Sequence, residues 1–297
     1  MTPRDRWWRW QSRNAPYLFL LPFALVFGLF MAYPLGRSLI LSFYKAIGPK
    51  RMEFVGSGNF RFLLHDWVFW WSVANTAAFT IAFLIVQIPL SLGLALLLNS
   101  RWVKARNWFR FAFFSTHLTG QVFVAIIFGV LLESRGGLVN HVLAALGIAP
   151  IGWLSDPNWI MVSVLIAALW LSVGFAMIYF LATLQGVDPE FYEAASVDGA
   201  GKLSKFWHVT LPSISKVLNL LIFMGIVAGL QLFELPYVLN QGPGPGGRGM
   251  TIVMYLFITG FDAGDLGYAS AIGWMLVIMV AIVGVIQYRL LKRLGAM

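Results

Sequence analysis

Among the stretches of this chain that carry no Asp, Glu, Lys or Arg, six read as membrane spans: Asn14–Gly36, Trp67–Ser100, Phe111–Leu132, Pro157–Val187, Val217–Phe233 and Leu266–Tyr288. Their lengths are 23, 34, 22, 31, 17 and 23 residues. Crossing about 30 Å of hydrocarbon at ~1.5 Å per residue takes roughly 20 residues of helix. Helix also satisfies every backbone N–H and C=O within its own segment, which the bilayer core demands. The windows therefore predict an all-α fold, a polytopic membrane helix bundle with spans at about 15–36, 72–99, 109–132, 158–185, 215–235 and 267–289. The second and fourth windows exceed the bilayer and so include interfacial residues. The first follows Arg4, Arg6, Arg9 and Arg13, as a secretory leader would. Its apolar run is too long for such a leader and no small-residue cleavage site follows, so an uncleaved span is expected.

Composition excludes the main alternatives. Charged residues make up 11% of the chain, against about 25% in ordinary soluble domains, too few to coat a globular surface in water. The 21 Lys and Arg against 12 Asp and Glu are interleaved with apolar runs. They are not gathered on one wet face, so nucleic acid is not an expected partner; membrane lipid is. There is no cysteine, hence no disulfide, thiolate metal site or cysteine nucleophile. His65, His117, His141 and His208 are too scattered to suggest a metal cluster, and no polar constellation inside the spans suggests an enzyme.

The cations set an orientation. With six spans both termini share a side, which holds 14 Lys and Arg against 7 on the other. Cytoplasmic segments are enriched in Lys and Arg, so both termini are expected in the cytoplasm. Four of the opposing cations (Lys45, Lys50, Arg51 and Arg61) fall in one outer loop. Trp7, Trp8 and Trp10 beside arginines read as an interfacial anchor. His117 in the third span reads as a buried, neutral histidine, and Asp262 and Asp265 as caps at the start of the last span.

The most informative stretch is the cytoplasmic loop 186–212, longer than loops in compact proteins usually are. From Val187 to Pro212 it reads VDPEFYEAASVDGAGKLSKFWHVTLP. Asp188 then Pro189 is a helix start, a capping carboxylate followed by Pro at the first helical position. Gly199 and Gly201 break that helix, and Pro212 leads back into the membrane. The plain reading is a short helix–turn–helix lying across the membrane face.

The run EAASVDGAG, followed by Phe206, Val209 and Leu211-Pro212, resembles the EAA loop of ABC-importer permeases, E-A-A-x2-D-G-A-x5-F-x2-I-x-L-P. Val209 stands in the Ile position. The stretches YLFLLPFALVFGLFMAYPLGRSLILSFY, FVGSGNFRFLL and GPGPGG look like the carbohydrate-uptake branch, most like its maltose-type first permeases. The resemblance implies a type I ABC importer fold in the plasma (inner) membrane of a prokaryote. It implies a sugar or related polyol as substrate, an extracytoplasmic solute-binding protein that delivers it, cytoplasmic ATP-binding subunits, and a second permease in a heterodimer. Carried over by residue, Glu193, Ala194 and Ala195 would lie on a helix docking into the ATPase, with Glu193 paired to one of its cations. Asp198 and Gly199 would form the turn, with Ala200 packed beside it.

No G-x-x-x-x-G-K-[ST] occurs. At Gly199–Lys205, Ser196 occupies the first Gly position and Leu203 replaces the hydroxyl. No cofactor is therefore expected on this chain; ATP and Mg²⁺ belong to a separate ATPase, and the chain is a transport subunit with no catalytic residue.

For the substrate path, Trp170, Ser172 and Phe175 in the fourth span offer an aromatic face and a hydroxyl just before the loop. In maltose-type permeases the matching helix lines the sugar site, with an aromatic at the position of Trp170. Gly225, Ala228 and Gly229 on the fifth span would keep a cavity open. Gln231 and Glu234 stand toward its outer end, where an acid at membrane depth is a functional candidate. The plainer reading makes the aromatics lipid-facing, the small residues helix-packing positions and Glu234 an interfacial carboxylate. The competing function is an ATP-independent secondary transporter or channel. Such carriers usually place several acids or interrupted helices at midplane, and this sequence offers Glu234 alone.

Overall fold

The computed structural model of the protein describes residues 3–48, 51–100 and 103–293. The helices are α1 (Pro3–Phe27), α2 (Tyr33–Leu41), α3 (Gly58–His65), α4 (Trp67–Asn99), α5 (Arg106–Ser115), α6 (Gln121–Leu131), α7 (Leu138–Ala145) and α8 (Ile160–Gln185). They continue as α9 (Pro189–Val197), α10 (Lys202–Lys205), α11 (Leu211–Ser213), α12 (Ser215–Leu230), α13 (Glu234–Leu239), α14 (Ile252–Phe257) and α15 (Leu266–Arg293).

Among the described residues, four helical segments are long and apolar enough to cross a membrane: Asn14–Leu41, Trp67–Asn99, Ile160–Gln185 and Leu266–Lys292. Two further candidates are bent pairs, Arg106–Leu118 with Gln121–Leu131 at 100° and Lys202–Ser213 with Ser215–Leu230 at 68°. The continuous helix expected over 109–132 is thus broken. Gly120, extended at φ −65°, ψ 142°, ends one half and begins the next, following a 3-10 turn over Thr116–Leu118. Gly is the poorest helix former after Pro, and β-branched Thr116 and Thr119 add little. The segment expected over 215–235 stops at Leu230, and Glu234 opens the short α13 instead.

The chain divides into two compact units. The first comprises Met1–His65 and Leu256–Met275. In it α1 runs through a π-helical turn, Gly28–Ala32, into α2. A two-stranded antiparallel hairpin follows, β1 (Tyr44–Ile47) on β2 (Arg51–Phe54), pairing Tyr44 with Phe54 and Ile47 with Arg51. This hairpin departs from the expected all-α class. The Asn59 carboxamide donates to the Ser42 and Tyr44 carbonyls, each at 2.9 Å. Gly267 of α15 lies against the backbone of Tyr44, and the Asp265 carboxylate accepts the Tyr268 N–H as expected of a cap. The side chains of Trp7, Trp8 and Trp10 lie outside what the structure describes.

The second unit comprises Asp66–Tyr255 and Leu276–Met297. Asp66 caps α4 by accepting the Val68 N–H at 2.9 Å. Pro89 sits inside α4 without ending it. Two apolar clusters hold the unit together. One joins Phe79 and Phe83 of α4 to Val124 and Ala125 of α6, Val164 and Ala167 of α8, and Leu235 and Leu239 of α13. The other joins Leu92 and Ala95 of α4 to Met177, Phe180 and Leu184 of α8, with Ile214 and Leu221. Ser91 adds a buried hydrogen bond to the Val173 carbonyl at 3.1 Å.

Candidate functional site

The loop between α8 and α12 begins as its sequence demands. Asp188 accepts the Glu190 N–H at 3.0 Å with Pro189 in the first helical turn, so the helix start is capped from within. The helix ends in a Schellman motif. The Ala200 N–H reaches the Ala195 carbonyl at 2.8 Å and the Gly199 N–H reaches Ser196 at 3.1 Å. Gly199 takes φ +76° to close it. The motif therefore has a local physical account: Asp198 is the last helical junction, Gly199 the left-handed residue, and Ala200 the first residue of the new direction.

No residue of α9 is buried. Glu193 and Ala194 are exposed, and so are the apolar side chains of Phe191 and Val197, the latter at 88%. The same unit is tied inward. The Tyr192 and Thr210 hydroxyls lie 3.1 Å apart, and the Lys205 ammonium donates to Ser196 Oγ at 2.6 Å. Beyond the π-helical turn Phe206–Thr210, Ile214 is fully buried in the cluster formed by α4 and α8, and Phe206 and Leu211 pack against it. An exposed helix is thus attached through a short hydrogen-bonded turn to the apolar core of the membrane helices. The sequence reading did not single out Tyr192, Ser196, Lys205 or Thr210. A tyrosine and a threonine a loop apart carry no periodic signal.

Of the residues read as a substrate path, Trp170 is 43% exposed and meets Phe128 edge-on at 5.8 Å. The Ser172 hydroxyl donates to the Ala168 carbonyl at 2.7 Å, which leaves its lone pairs as acceptors. The Phe175 ring meets His117 at 4.5 Å and Tyr179 at 4.8 Å, tilted to both. His117 corrects its sequence reading. It lies in the broken part of the third segment, not inside a continuous helix, and it is exposed.

The two glycines of α12 lie against a neighbouring helix. A Cβ on Gly225 would fall 2.5 Å from Leu84, and one on Gly229 would fall 2.3 Å from the Thr80 hydroxyl. Both face α4 and permit close helix packing, as small residues do between membrane helices. Ala228 is exposed, as are Gln231 and Glu234 at the break between α12 and α13. That break is held by the Thr251 hydroxyl donating to the Leu232 carbonyl at 2.7 Å. Among the described residues no group of three or more His, Cys, Asp or Glu is placed to hold a metal ion.

The Gly-Pro loop after α13 is fastened to α4. The Trp71 indole and the Asn75 carboxamide both donate to the Gly247 carbonyl at 3.2 Å, and Asn75 also reaches Met250 at 3.1 Å. The Ile252 N–H donates to Thr76 Oγ at 3.1 Å, and the Arg248 guanidinium lies 5.0 Å over the Trp71 ring. Asn75 and Thr76 are thereby accounted for as anchors of this loop.

These features have counterparts in known proteins. The family described as "Binding-protein-dependent transport system inner membrane component" matches residues 4–296. The arabinooligosaccharides transport system permease protein AraP of Bacillus subtilis (strain 168) is 38% identical over 287 residues, covering 95% of this chain and 91% of AraP. The lactose transport system permease protein LacF of Rhizobium radiobacter is 34% identical over 276 residues, covering 92% of each. A chain of a bacterial alginate ABC transporter, solved in complex with an alginate pentasaccharide-bound periplasmic protein, superposes with a TM-score of 0.84 at 23% identity. The match covers 97% of this chain and 98% of that one. The fold expected from the loop, that of an ABC-importer permease, is the fold found.

Proposed function

This chain belongs to the family of binding-protein-dependent transport system inner membrane components, and we propose that it is a permease subunit of an ATP-driven ABC importer for a sugar or oligosaccharide. It spans the plasma membrane of a prokaryote six times, each bent pair counting as one span, with both termini in the cytoplasm. A second, different permease completes the pathway, an extracytoplasmic binding protein delivers the substrate, and separate ATPase subunits drive alternating access. AraP and LacF, named for arabinooligosaccharide and lactose transport, support a saccharide as substrate.

The observation that carries this reading is the build of the loop 186–212. An exposed helix, free to be gripped, continues through the Tyr192–Thr210 and Lys205–Ser196 pairs into Ile214, Phe206 and Leu211 at the core. A push on α9 is therefore delivered to α4, α8 and α12. Glu193, Ala194 and Ala195 lie on the helix offered to the ATPase, and Asp198, Gly199 and Ala200 fix the turn. Trp170, Ser172 and Phe175, with the exposed Ala228, Gln231 and Glu234, line the substrate path. Gly225 and Gly229 set how closely the helix bearing them lies on α4.

The test is purification of the tagged chain from native membranes in mild detergent, with mass spectrometry of what accompanies it. An ATPase and a second permease are expected, and Glu193→Arg, which reverses the charge at that position of α9, is expected to release the ATPase. A chain that purifies alone and transports in liposomes without ATP would instead be a secondary transporter or channel.

A further inference from the structure

A cavity of about 440 Å³ opens between α12 and the last turns of α15, within the second unit. Its lining is graded. Lys216, Gln287 and Tyr288 stand at one end, and Leu220, Phe223 and Gly284 continue it along the helices. Lys216 begins α12 while Tyr288 lies near the end of α15, so the polar groups gather where the two helices leave the apolar layer. From Lys216 to Phe223 the slot extends about 10 Å, at ~1.5 Å per residue. At Gly284 a Cβ would sit in ordinary contact with the Phe223 ring, at 3.6 Å.

Two groups at the polar end lack what a ligand can supply. Gln287 bridges the helices by donating to the Asn219 carbonyl at 2.8 Å, yet its Oε1 is buried and accepts no hydrogen bond. A buried acceptor left empty is costly. Among the described residues no carboxylate lines the slot to neutralise Lys216, and Arg289 and Lys292 lie at the end of α15. The site therefore calls for an anionic group beside Lys216, a hydroxyl donor for Gln287, and an apolar chain along Leu220 and Phe223. A free phosphate satisfies the first need alone, and an apolar helix from another subunit the last alone.

We propose that this slot binds an anionic phospholipid with a hydroxyl-bearing headgroup, of the phosphatidylglycerol kind. The phosphate lies at Lys216 and the Tyr288 hydroxyl, the Gln287 carboxamide turns to present its Oε1 to the glycerol hydroxyl, and an acyl chain lies against Phe223. Its position in the cytoplasmic leaflet rests on the orientation proposed above, where such leaflets attract basic groups at helix ends.

The test uses the full chain with the subunits that co-purify with it, in neutral detergent. Thermal unfolding is followed with added dioleoylphosphatidylglycerol, dioleoylphosphatidic acid, dioleoylphosphatidylcholine or glycerol 3-phosphate, and retained lipid is counted by native mass spectrometry. Phosphatidylglycerol is expected to be retained and to raise the midpoint by several degrees more than phosphatidylcholine, with glycerol 3-phosphate inert. Lys216→Gln removes the preference for anionic lipid, and Gln287→Leu removes the preference for phosphatidylglycerol over phosphatidic acid. Should Lys216→Gln fail to fold, Tyr288→Phe, which deletes one donor at the surface, is expected to weaken retention. Equal responses to phosphatidylglycerol and phosphatidylcholine, or a complex that retains neither, overturn the proposal. So does a response to glycerol 3-phosphate equal to that of the lipid. The readout does not depend on which subunits co-purify, so a failed lipid site and a failed importer reading give different results.

Discussion

A Cβ built on Gly174 would lie 1.8 Å from the backbone carbonyl oxygen of Phe113, so α8 and α5 meet backbone to backbone. No rotamer change relieves such a clash, because the obstructing atom is main chain. Gly174→Ala must therefore push the helices apart beside Phe175 and its partner His117. Overpacking of this kind costs about 1–3 kcal/mol. A lowered thermal midpoint of the purified complex is expected, with a larger drop for Gly174→Val. An unchanged midpoint for both would mean that the helices do not meet here.

Asn140 organises the segment between α6 and α8. Its Nδ2 donates to the Ser134 and Ile151 carbonyls, and its Oδ1 accepts from the Ile151 N–H and the Trp153 indole, all within 3.1 Å. The residue is 6% exposed. Asn140→Leu keeps the volume but strands two donors and two acceptors, at about 1–3 kcal/mol for each group left buried. Faster proteolysis within residues 133–156 is expected, while Asn140→Asp, which still accepts but no longer donates, lies between. Equal protection of wild type and Asn140→Leu would refute the role.

Much of this was legible in the sequence, and the misses have physical causes. The long segments and the capped start of α9 follow from local rules: charge-free length, an Asp-Pro start, a Gly at the turn. The breakdown at Gly120 was hidden because a charge-free window reports apolarity and not helical continuity, and His117 was misplaced with it. Gly225 and Gly229 were recognised as small, but size does not give direction, and they point at α4. Asn140 and Tyr192 act through partners 6 to 18 residues away, spacings with no periodic signature. Strands as short as β1 and β2, four residues each, carry too few alternating positions to stand out.

Gly199 offers a test of the loop that leaves its chemistry untouched. At φ +76° with nothing within 4 Å of an added Cβ, the only penalty of Gly199→Ala is conformational, about 1–2 kcal/mol. Asn tolerates this region better than Ala. ATP-driven uptake in liposomes is expected to fall in the order wild type, Gly199→Asn, Gly199→Ala, with the Lys205–Ser196 pair spared. Full activity of the alanine variant would mean that the turn is not what aims α9.

Trp170 separates stability from transport. Its ring is 43% exposed and meets Phe128 edge-on, a contact worth about 0.5–1.5 kcal/mol beyond area burial. Removing it should leave folding and subunit assembly nearly intact. If the exposed face of the indole borders the substrate path, Trp170→Ala impairs uptake strongly while the complex still co-purifies and still hydrolyses ATP. Trp170→Phe, which keeps an aromatic surface for a sugar ring, then recovers part of the rate. Normal uptake by the alanine variant would place the indole against lipid and leave Phe175, with His117 and Tyr179 around it, as the aromatic surface of the path.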